Sequence, residues 1–259
     1  MIDTHSHLFV EEFEADLPEV VERAKAAGVI RVMMPNIDDT TVDAMLKVCA
    51  DYEGYCYPML GFHPTSVDGS DCLARVRSMK SLLKEGHPFV GIGEVGMDLY
   101  WDKTYLKEQQ RVLDEQIGWA LEYDLPLVIH CREAFPELFE VLSPYKHTSL
   151  GGIFHSFTGT AEEAEQVLDY PRFMLGVNGV VTFKKSHLPE ILSAKVPLDR
   201  IVLETDSPYL APVPFRGKRN ESSYIYKVAV KLTDIYGMAL EEVDRITTLN
   251  ALKVFKMTE

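Results

Sequence analysis

Short apolar runs alternate with longer amphipathic stretches along the whole chain. Eight of these runs have the length and aliphatic composition of buried strands, and they lie near residues 2–6, 29–34, 56–61, 89–94, 126–131, 151–155, 173–177 and 201–205. The stretches between them predict helices over Leu17–Ala27, Thr40–Cys49, Asp71–Lys84, Tyr105–Tyr123, Glu133–Leu142, Ala161–Leu168, Leu188–Ala194, Ser223–Tyr236 and Glu241–Phe255. This repeated order of strand and helix favours parallel strands joined by right-handed crossovers.

The helix predicted after the fourth strand shows the pattern most clearly. Leu106, Leu113 and Ile117 lie on one stripe of this helix, so one of its faces is expected to be buried.

Eight strand and helix units close into a barrel, for which about 250 residues is a typical length. For the 259 residues of this chain we therefore predict a single-domain α/β fold, a (β/α)8 TIM barrel over residues 1–259. An open, doubly wound sheet is less favoured, because no glycine-rich phosphate-binding fingerprint follows the first strand.

The composition is that of an ordinary soluble globular protein, with 46% hydrophobic and 25% charged residues. No apolar run reaches the roughly 18 residues of a membrane span, and none has the form of a secretory signal. The four cysteines show no CxxC spacing, which is typical of reduced thiols in an intracellular protein. We therefore expect a cytoplasmic protein without membrane contact, and nothing in the sequence implies an obligate protein partner.

Histidine or acidic residues stand at the ends of five predicted strands. They are His5, Glu94, His130, His155 and Asp206, with His7 just beyond the first strand. A lone histidine is more often a hydrogen-bonded core residue than a ligand, but the carboxyl ends of the strands of a βα-barrel form one functional face. His5 and His7 also point to the same side of an extended segment. Together these residues predict a metal site.

The six residues supply the ligand types of a two-metal hydrolytic site. Imidazole and carboxylate groups bind Zn²⁺, Mn²⁺ and Mg²⁺, and a carboxylate bridges the ions when there are two. His5, His7 and Asp206 are the predicted ligands of one divalent ion, His130 and His155 those of the second, and Glu94 bridges both. Such a pair activates a water molecule and holds the attacking and leaving oxygens of a phosphoryl displacement.

Seven motifs give the chain a resemblance to a known family. They are Ile2-Asp3-Thr4-His5-Ser6-His7-Leu8, Gly61-Phe62-His63-Pro64, Gly93-Glu94-Val95-Gly96-Met97-Asp98, His130-Cys131-Arg132, His155-Ser156-Phe157-Thr158-Gly159, Glu204-Thr205-Asp206-Ser207-Pro208-Tyr209-Leu210-Ala211-Pro212 and Arg216-Gly217-Lys218-Arg219-Asn220-Glu221. Over nearly its whole length the chain resembles the TatD-family metal-dependent deoxyribonucleases, within the amidohydrolase-like barrels. The resemblance implies a (β/α)8 barrel, divalent metals at the six residues and hydrolysis of phosphodiester bonds, with removal of nucleotides from a DNA 3′ end as the expected form.

Further residues near the predicted strand ends are candidates for catalysis or substrate binding. The predicted catalytic residues are Glu94, Asp206, His63 and Glu204, and those predicted to contact the substrate phosphate are Arg132, His63, Lys218 and Arg219. His63 is a candidate acid or hydrogen-bond donor, and Glu204 is a candidate to orient a water molecule or a ligand histidine. The structural alternatives are a turn histidine before a proline for His63 and a buried ion-pair partner for Glu204.

Three more residues have two competing interpretations each. Asp98 is either a partner of a ligand histidine or a loop cap. Trp101 and Tyr209 are either packing residues or surfaces on which a nucleobase stacks.

The formal net charge of −14 argues against strong nonspecific binding of nucleic acid, because phosphate contacts depend on clustered lysine and arginine. Bound divalent cations reverse the sign of the charge at the site, so DNA or RNA is still expected as the substrate.

Two alternative functions stay open. The same site could hydrolyse another ester or an amide, such as an aminoacyl-tRNA ester or a lactone, since the barrel does not determine the bond. It could also be a catalytically idle metal-binding scaffold, against which the complete ligand set argues.

Overall fold

The computed structural model describes residues 1–69 and 71–258, and within them all eight predicted strands form one parallel sheet. The strands are β1 Ile2–Asp3, β2 Arg31–Pro35, β3 Cys56–Leu60, β4 Gly91–Asp98, β5 Leu127–Arg132, β6 Gly152–Phe154, β7 Phe173–Val177 and β8 Ile201–Leu203, paired in chain order. Past the end of β1, the amide of Thr4 donates to the carbonyl of Leu203 at 3.1 Å, and Ser6 pairs with Ser207. These contacts join β1 to β8 and close the sheet into the expected (β/α)8 barrel.

Helices follow the strands around the sheet. Within the described residues they are α1 Leu17–Ala26, α2 Val42–Asp51, α3 Cys72–Met79, α4 Leu106–Glu122, α5 Phe135–Leu142, α6 Ala161–Leu168, α7 Leu188–Lys195, α8 Ile225–Tyr236 and α9 Leu240–Val254. Short 3₁₀ turns lie at Glu11–Phe13, Pro64–Ser66, Lys80–Leu82, Ser143–Tyr145, Gly179–Thr182, Leu198–Arg200 and Ser222–Tyr224. The helix predicted to continue to Lys84 gives way to the turn at Lys80–Leu82. No helix in this part of the chain is both long and apolar enough to cross a membrane.

Local sequence explains where two of the helices begin and end. Before α6, the Thr160 hydroxyl accepts from the amide of Glu163 at 3.2 Å, and the Glu163 carboxylate accepts from the amide of Thr160 at 2.6 Å. This reciprocal pair satisfies two amides that an isolated helix end leaves without partners. The carboxyl end of α8 is set by Gly237, which follows its last residue. Gly237 has a φ of 64°, in the left-handed region that glycine adopts with little steric strain.

An aliphatic layer fills the barrel below the strand ends. It consists of Ile2, Met33, Met59, Val128, Ile153, Met174 and Val202, together with residues of α9. The Asn250 side chain in α9 donates to the carbonyls of Leu198 and Ile201 at 3.0 and 2.8 Å, which holds α9 against the start of β8. The interior of the barrel below the strand ends is therefore apolar, and the polar side chains gather at the carboxyl end.

The fourth strand departs from the prediction. Glu94 was expected to end it, but β4 continues to Asp98, which pairs with Arg132 of β5. A shift of register between Ile92 and Val95 interrupts the pairing at Glu94 without ending the strand. Such an irregularity re-aims a side chain in the middle of a strand, and the apolar pattern does not reveal it. The prediction that Glu94 ends its strand is therefore wrong.

Candidate metal centre

Glu94 lies at the centre of the predicted ligands, and its two carboxylate oxygens face different histidines. Oε2 lies 3.1 Å from Nε2 of His5 and 3.6 Å from Nε2 of His7. Oε1 lies 3.0 Å from Nδ1 of His130 and 3.2 Å from Nε2 of His63. One buried carboxylate therefore touches two separate sets of imidazole nitrogens, which is the arrangement expected of a bridging ligand.

The first set consists of His5, His7 and Asp206. The Nε2 atoms of the two histidines are 3.2 Å apart, and Asp206 Oδ1 lies 3.7 Å from Nε2 of His7. Ligand atoms about 2.0–2.2 Å from one ion at tetrahedral angles are roughly 3.4 Å apart. The spacing of these donors therefore fits a single shared cation.

A buried aspartate that sequence reasoning missed holds this first set in place. Asp3 Oδ1 accepts from the amides of His5 and Thr205 at 3.3 and 2.9 Å, and Oδ2 accepts from the Thr205 hydroxyl at 2.6 Å. Asp3 thereby ties the segment that carries His5 and His7 to the segment that carries Asp206. Its only sequence signal was its place just before the two histidines in the first motif.

The second set consists of His130, His63 and the other oxygen of Glu94. These three residues can hold a metal ion together. His130 Nε2 lies 2.8 Å from Asp98 Oδ2, so its ring is fixed between two carboxylates. Asp98 also accepts from the amides of Tyr100 and Trp101, and it therefore acts both as a histidine partner and as a loop cap.

His155 lies between the two sets, although the sequence paired it with His130. Its Nε2 is 3.7 Å from Asp206 Oδ1 and 3.8 Å from Glu94 Oε1. Its Nδ1 is 3.1 Å from Glu204 Oε1, an oxygen that also accepts from the amide of Ser156 at 2.6 Å. Glu204 is therefore placed where it can orient a histidine, one of the two roles expected of it, and the same contact also fits the alternative of a buried ion-pair partner.

Burial and charge divide the histidines into two classes. Burial and the neighbouring His155 hold the pKa of His5 well below its ordinary value, and burial lowers the pKa of His7 to about 4. Burial also acts to lower the pKa of His130 and His155. Asp98 and Glu94 outweigh that effect at His130 and raise its pKa to about 9, and Glu204 with Asp206 raises the pKa of His155 to about 10. The cluster is therefore rich in both lone pairs and negative charge, as a divalent cation requires.

Replacing Gly176 with alanine tests the support of His155. A Cβ at Gly176 would lie 2.2 Å from Glu204 Oε2, so the carboxylate must move away from the ring. Loss of such support costs roughly 10- to 100-fold in metal affinity or activity, and we expect a loss of that size in a metal titration. Gly118→Ala is the matched control, because a Cβ there has open space. Equal affinity in the two variants would contradict the role given to Glu204.

The three predicted phosphate-binding cations have different surroundings. Arg132 is exposed on β5, two residues beyond His130, with its guanidinium 3.6 Å from the centroid of the Tyr100 ring. Arg219 is bound to both oxygens of Asp16 at 2.7 Å. Lys218 is exposed and makes no ion pair within the described residues. Of the three cations, Arg132 therefore lies closest in sequence to a candidate metal ligand. The charge of Arg219 is already paired with Asp16.

The comparisons with known proteins agree with this geometry. The model of the family described as TatD related DNase matches residues 2–256. The chain is 38% identical to a Bacillus subtilis protein named uncharacterized metal-dependent hydrolase YabD, with 99% of both chains covered. It is 29% identical to a Pectobacterium parmentieri protein named 3′-5′ ssDNA/RNA exonuclease TatD, with 99% of this chain and 100% of the relative covered.

A solved structure supports the same relationship. The crystal structure of the TatD homologue YjjV from Escherichia coli superposes with a TM-score of 0.90 at 28% identity, covering 100% of this chain and 98% of the other. The match to the family model and the superposition on YjjV both extend over the whole barrel, including every strand end that carries a candidate ligand. The chain therefore belongs to the TatD family of metal-dependent hydrolases.

Proposed function

We propose that this protein is a 3′-5′ exonuclease that hydrolyses phosphodiester bonds in DNA, using two divalent metal ions. Glu94 carries this proposal, because its two oxygens face two separate sets of ligand atoms. Two adjacent ions are typical of enzymes that displace groups at phosphorus. The exonuclease name of the Pectobacterium relative supports the substrate class.

The unpaired thiols Cys49, Cys56, Cys72 and Cys131 support a reducing compartment, and we propose the cytoplasm.

His5, His7, Glu94 and Asp206 would hold one ion, and Glu94 with His130 and His155 would hold the other. When bound, the ions would activate water as the nucleophile and neutralise charge on the phosphate. Asp206 accepts a proton from the attacking water in this proposal, since its carboxylate lies beside the candidate ligands His7 and His155. Asp98 and Glu204 keep their histidines oriented throughout the reaction.

His63 donates a hydrogen bond to the leaving oxygen in this scheme, and the proton that this oxygen finally takes up comes from the attacking water by way of Asp206. His63 Nδ1 accepts from the amide of Thr65 at 3.1 Å, so the proton of the neutral ring sits on Nε2. Nε2 is also the atom that faces Glu94. This tautomer favours the donor role that the sequence suggested over a role as a metal ligand, which needs a lone pair at Nε2.

Arg132 is the residue that we propose for contact with the scissile phosphate. Its fork of N–H donors matches two phosphate oxygens, and it lies two residues beyond His130 on β5. We propose that Lys218 contacts a more distant phosphate. Arg219, held by Asp16, is proposed to shape the loop that presents Lys218.

Arg132→Ala is expected to lower kcat/KM on single-stranded DNA roughly 10- to 100-fold, since a hydrogen bond to a charged group contributes about 1.5–3 kcal/mol. Metal content should not change, because a guanidinium has no free lone pair. Arg77→Ala is the matched control, an exposed arginine paired with Glu115 on α4. Steady-state kinetics that do not distinguish the two variants would remove Arg132 from phosphate recognition.

The direct test of the proposed function is incubation of the purified protein with single-stranded DNA labelled at the 5′ end, under Mg²⁺, Mn²⁺ and Zn²⁺ in turn. We expect a ladder of fragments that shorten from the 3′ end, and no products after chelation. An aminoacyl-tRNA ester and a lactone are run in parallel. Hydrolysis of either of these with no cleavage of DNA would replace the nuclease by the other ester hydrolase. No turnover of any substrate, with metal bound, would favour the idle scaffold.

A further inference from the structure

Two neighbouring aromatic side chains stand exposed beside the metal centre. The side chain of Trp101 is 70% exposed and that of Tyr100 is 48% exposed, directly after the end of β4. The other tryptophan, Trp119, is only 1% exposed. An indole that contributes so little to the core is poorly explained by packing, because large aromatic side chains gain most of their stabilisation from burial.

The backbone of this pair is fixed by the same carboxylate that orients a candidate ligand. Asp98 Oδ1 accepts from the amides of Tyr100 and Trp101 at 3.0 and 3.2 Å. The other oxygen of Asp98 lies 2.8 Å from His130 Nε2, and His130 Nδ1 lies 3.0 Å from Glu94. The position of the aromatic pair is therefore tied to the metal centre through one short chain of contacts.

Arg132 completes the cluster. Its guanidinium carbon lies 3.6 Å from the centroid of the Tyr100 ring and 5.3 Å from that of Trp101, and the two rings meet edge to face with centroids 4.9 Å apart. A guanidinium stacked on aromatic rings is held in place while its N–H donors stay free at the edge. The cluster therefore presents a phosphate donor and a free aromatic surface side by side.

We propose that Trp101, braced by Tyr100 and Arg132, is a stacking site for a nucleobase next to the scissile phosphate. This inference rests on the proposed nuclease function and deepens it. Every base has a π-face, so stacking on an aromatic side chain accepts any sequence. A base inside a duplex has both faces covered, so the site selects an unpaired strand end over a duplex. The stacking site therefore favours an unpaired strand end, with little preference for base identity.

Fluorescence tests the contact directly, because the chain has two tryptophans and only Trp101 is exposed. The probe is oligothymidylate with phosphorothioate linkages, which resist hydrolysis, added to the metal-loaded protein. Saturable quenching is expected in the wild type and in Trp119→Phe, and no quenching in Trp101→Phe. Quenching that persists in Trp101→Phe, or binding without quenching in Trp119→Phe, would overturn the proposal.

A double-mutant cycle identifies the partner of the indole. Two further oligonucleotides lack the base of one or the other nucleotide that flanks the scissile phosphate. In the wild type, removing one of these bases is expected to raise the Kd by roughly 5- to 100-fold, the range of base and aromatic stacking. In Trp101→Ala the same removal should have almost no further effect. Tyr226→Ala, an exposed aromatic residue on α8, is the control and should preserve the full wild-type effect.

The outcomes separate this inference from the function on which it rests. A full effect of base removal in Trp101→Ala would show that the indole does not contact a base, even if DNA is cleaved. A wild-type protein that binds the oligonucleotide with quenching but never cleaves DNA would contradict the nuclease and leave the stacking site standing. A protein that neither binds nor cleaves single strands would overturn both.

Discussion

Replacing Glu94 with glutamine is expected to lower the hydrolysis rate by roughly a thousandfold, a loss on the order of several kcal/mol of transition-state stabilisation. Glu94 is the one carboxylate in the described residues that faces both sets of ligand atoms. Glutamine keeps the size of the side chain but removes the negative charge that offsets two cations. Binding of one ion should therefore weaken strongly, and metal analysis of the purified variant should find fewer than two ions for each chain.

The control for this variant is Glu221→Gln. Glu221 is also buried, but its carboxylate pairs with Arg23 at 2.7 Å, and it lies in neither set of candidate ligands. We expect it to lower thermal stability and to keep two ions and the normal rate. Glu94→Gln should unfold near the wild-type temperature, because the aliphatic layer fills the barrel below it. Two ions and near-normal turnover in Glu94→Gln would show that Glu94 is not the bridge.

Acidification is expected to release the metal ions, and the hydrolysis rate should fall with them. In the metal-free protein His130 and His155, with pKa values raised to about 9 and 10, carry protons at neutral pH. A metal ion must displace these protons, so its affinity rises with pH until the pH passes those pKa values. The expected slope is about tenfold per pH unit for each displaced proton.

Competition titration against a chelating dye between pH 6 and pH 9 measures this slope. Asp98→Asn is a useful comparison, because the carboxylate that raises the pKa of His130 is then gone. This variant should bind metal more weakly at high pH and with a shallower dependence on pH. An affinity that is flat across the range would contradict the proposed ligands, as would nuclease activity that survives exhaustive chelation.

The sequence was sufficient to predict the barrel and the gathering of the six candidate ligands. Both follow from repetition, because eight parallel units place the end of every strand at one face. His5 and Asp206 meet there although they are 201 positions apart in the chain. Most helix ends predicted from the apolar periodicity also lie within two residues of the observed ends, because the apolar stripe ends where the buried face of the helix ends.

Contacts between distant segments were not predictable in the same way. The shift of register at Glu94 depends on how β4 meets β5. The pair between Arg219 and Asp16 joins residues 203 positions apart, so the arginine looked free in the sequence. The sequence likewise did not show that Asp3 would tie two segments together, nor that Gly176 would leave room for Glu204. These features depend on which side chains face each other across the finished barrel.

An anomalous diffraction map of crystals grown with Mn²⁺ tests the two-metal centre most directly. We predict two peaks on either side of the Glu94 carboxylate, one beside His5 and His7 and the other beside His130. A single peak, or two peaks that Glu94 does not bridge, would contradict the account.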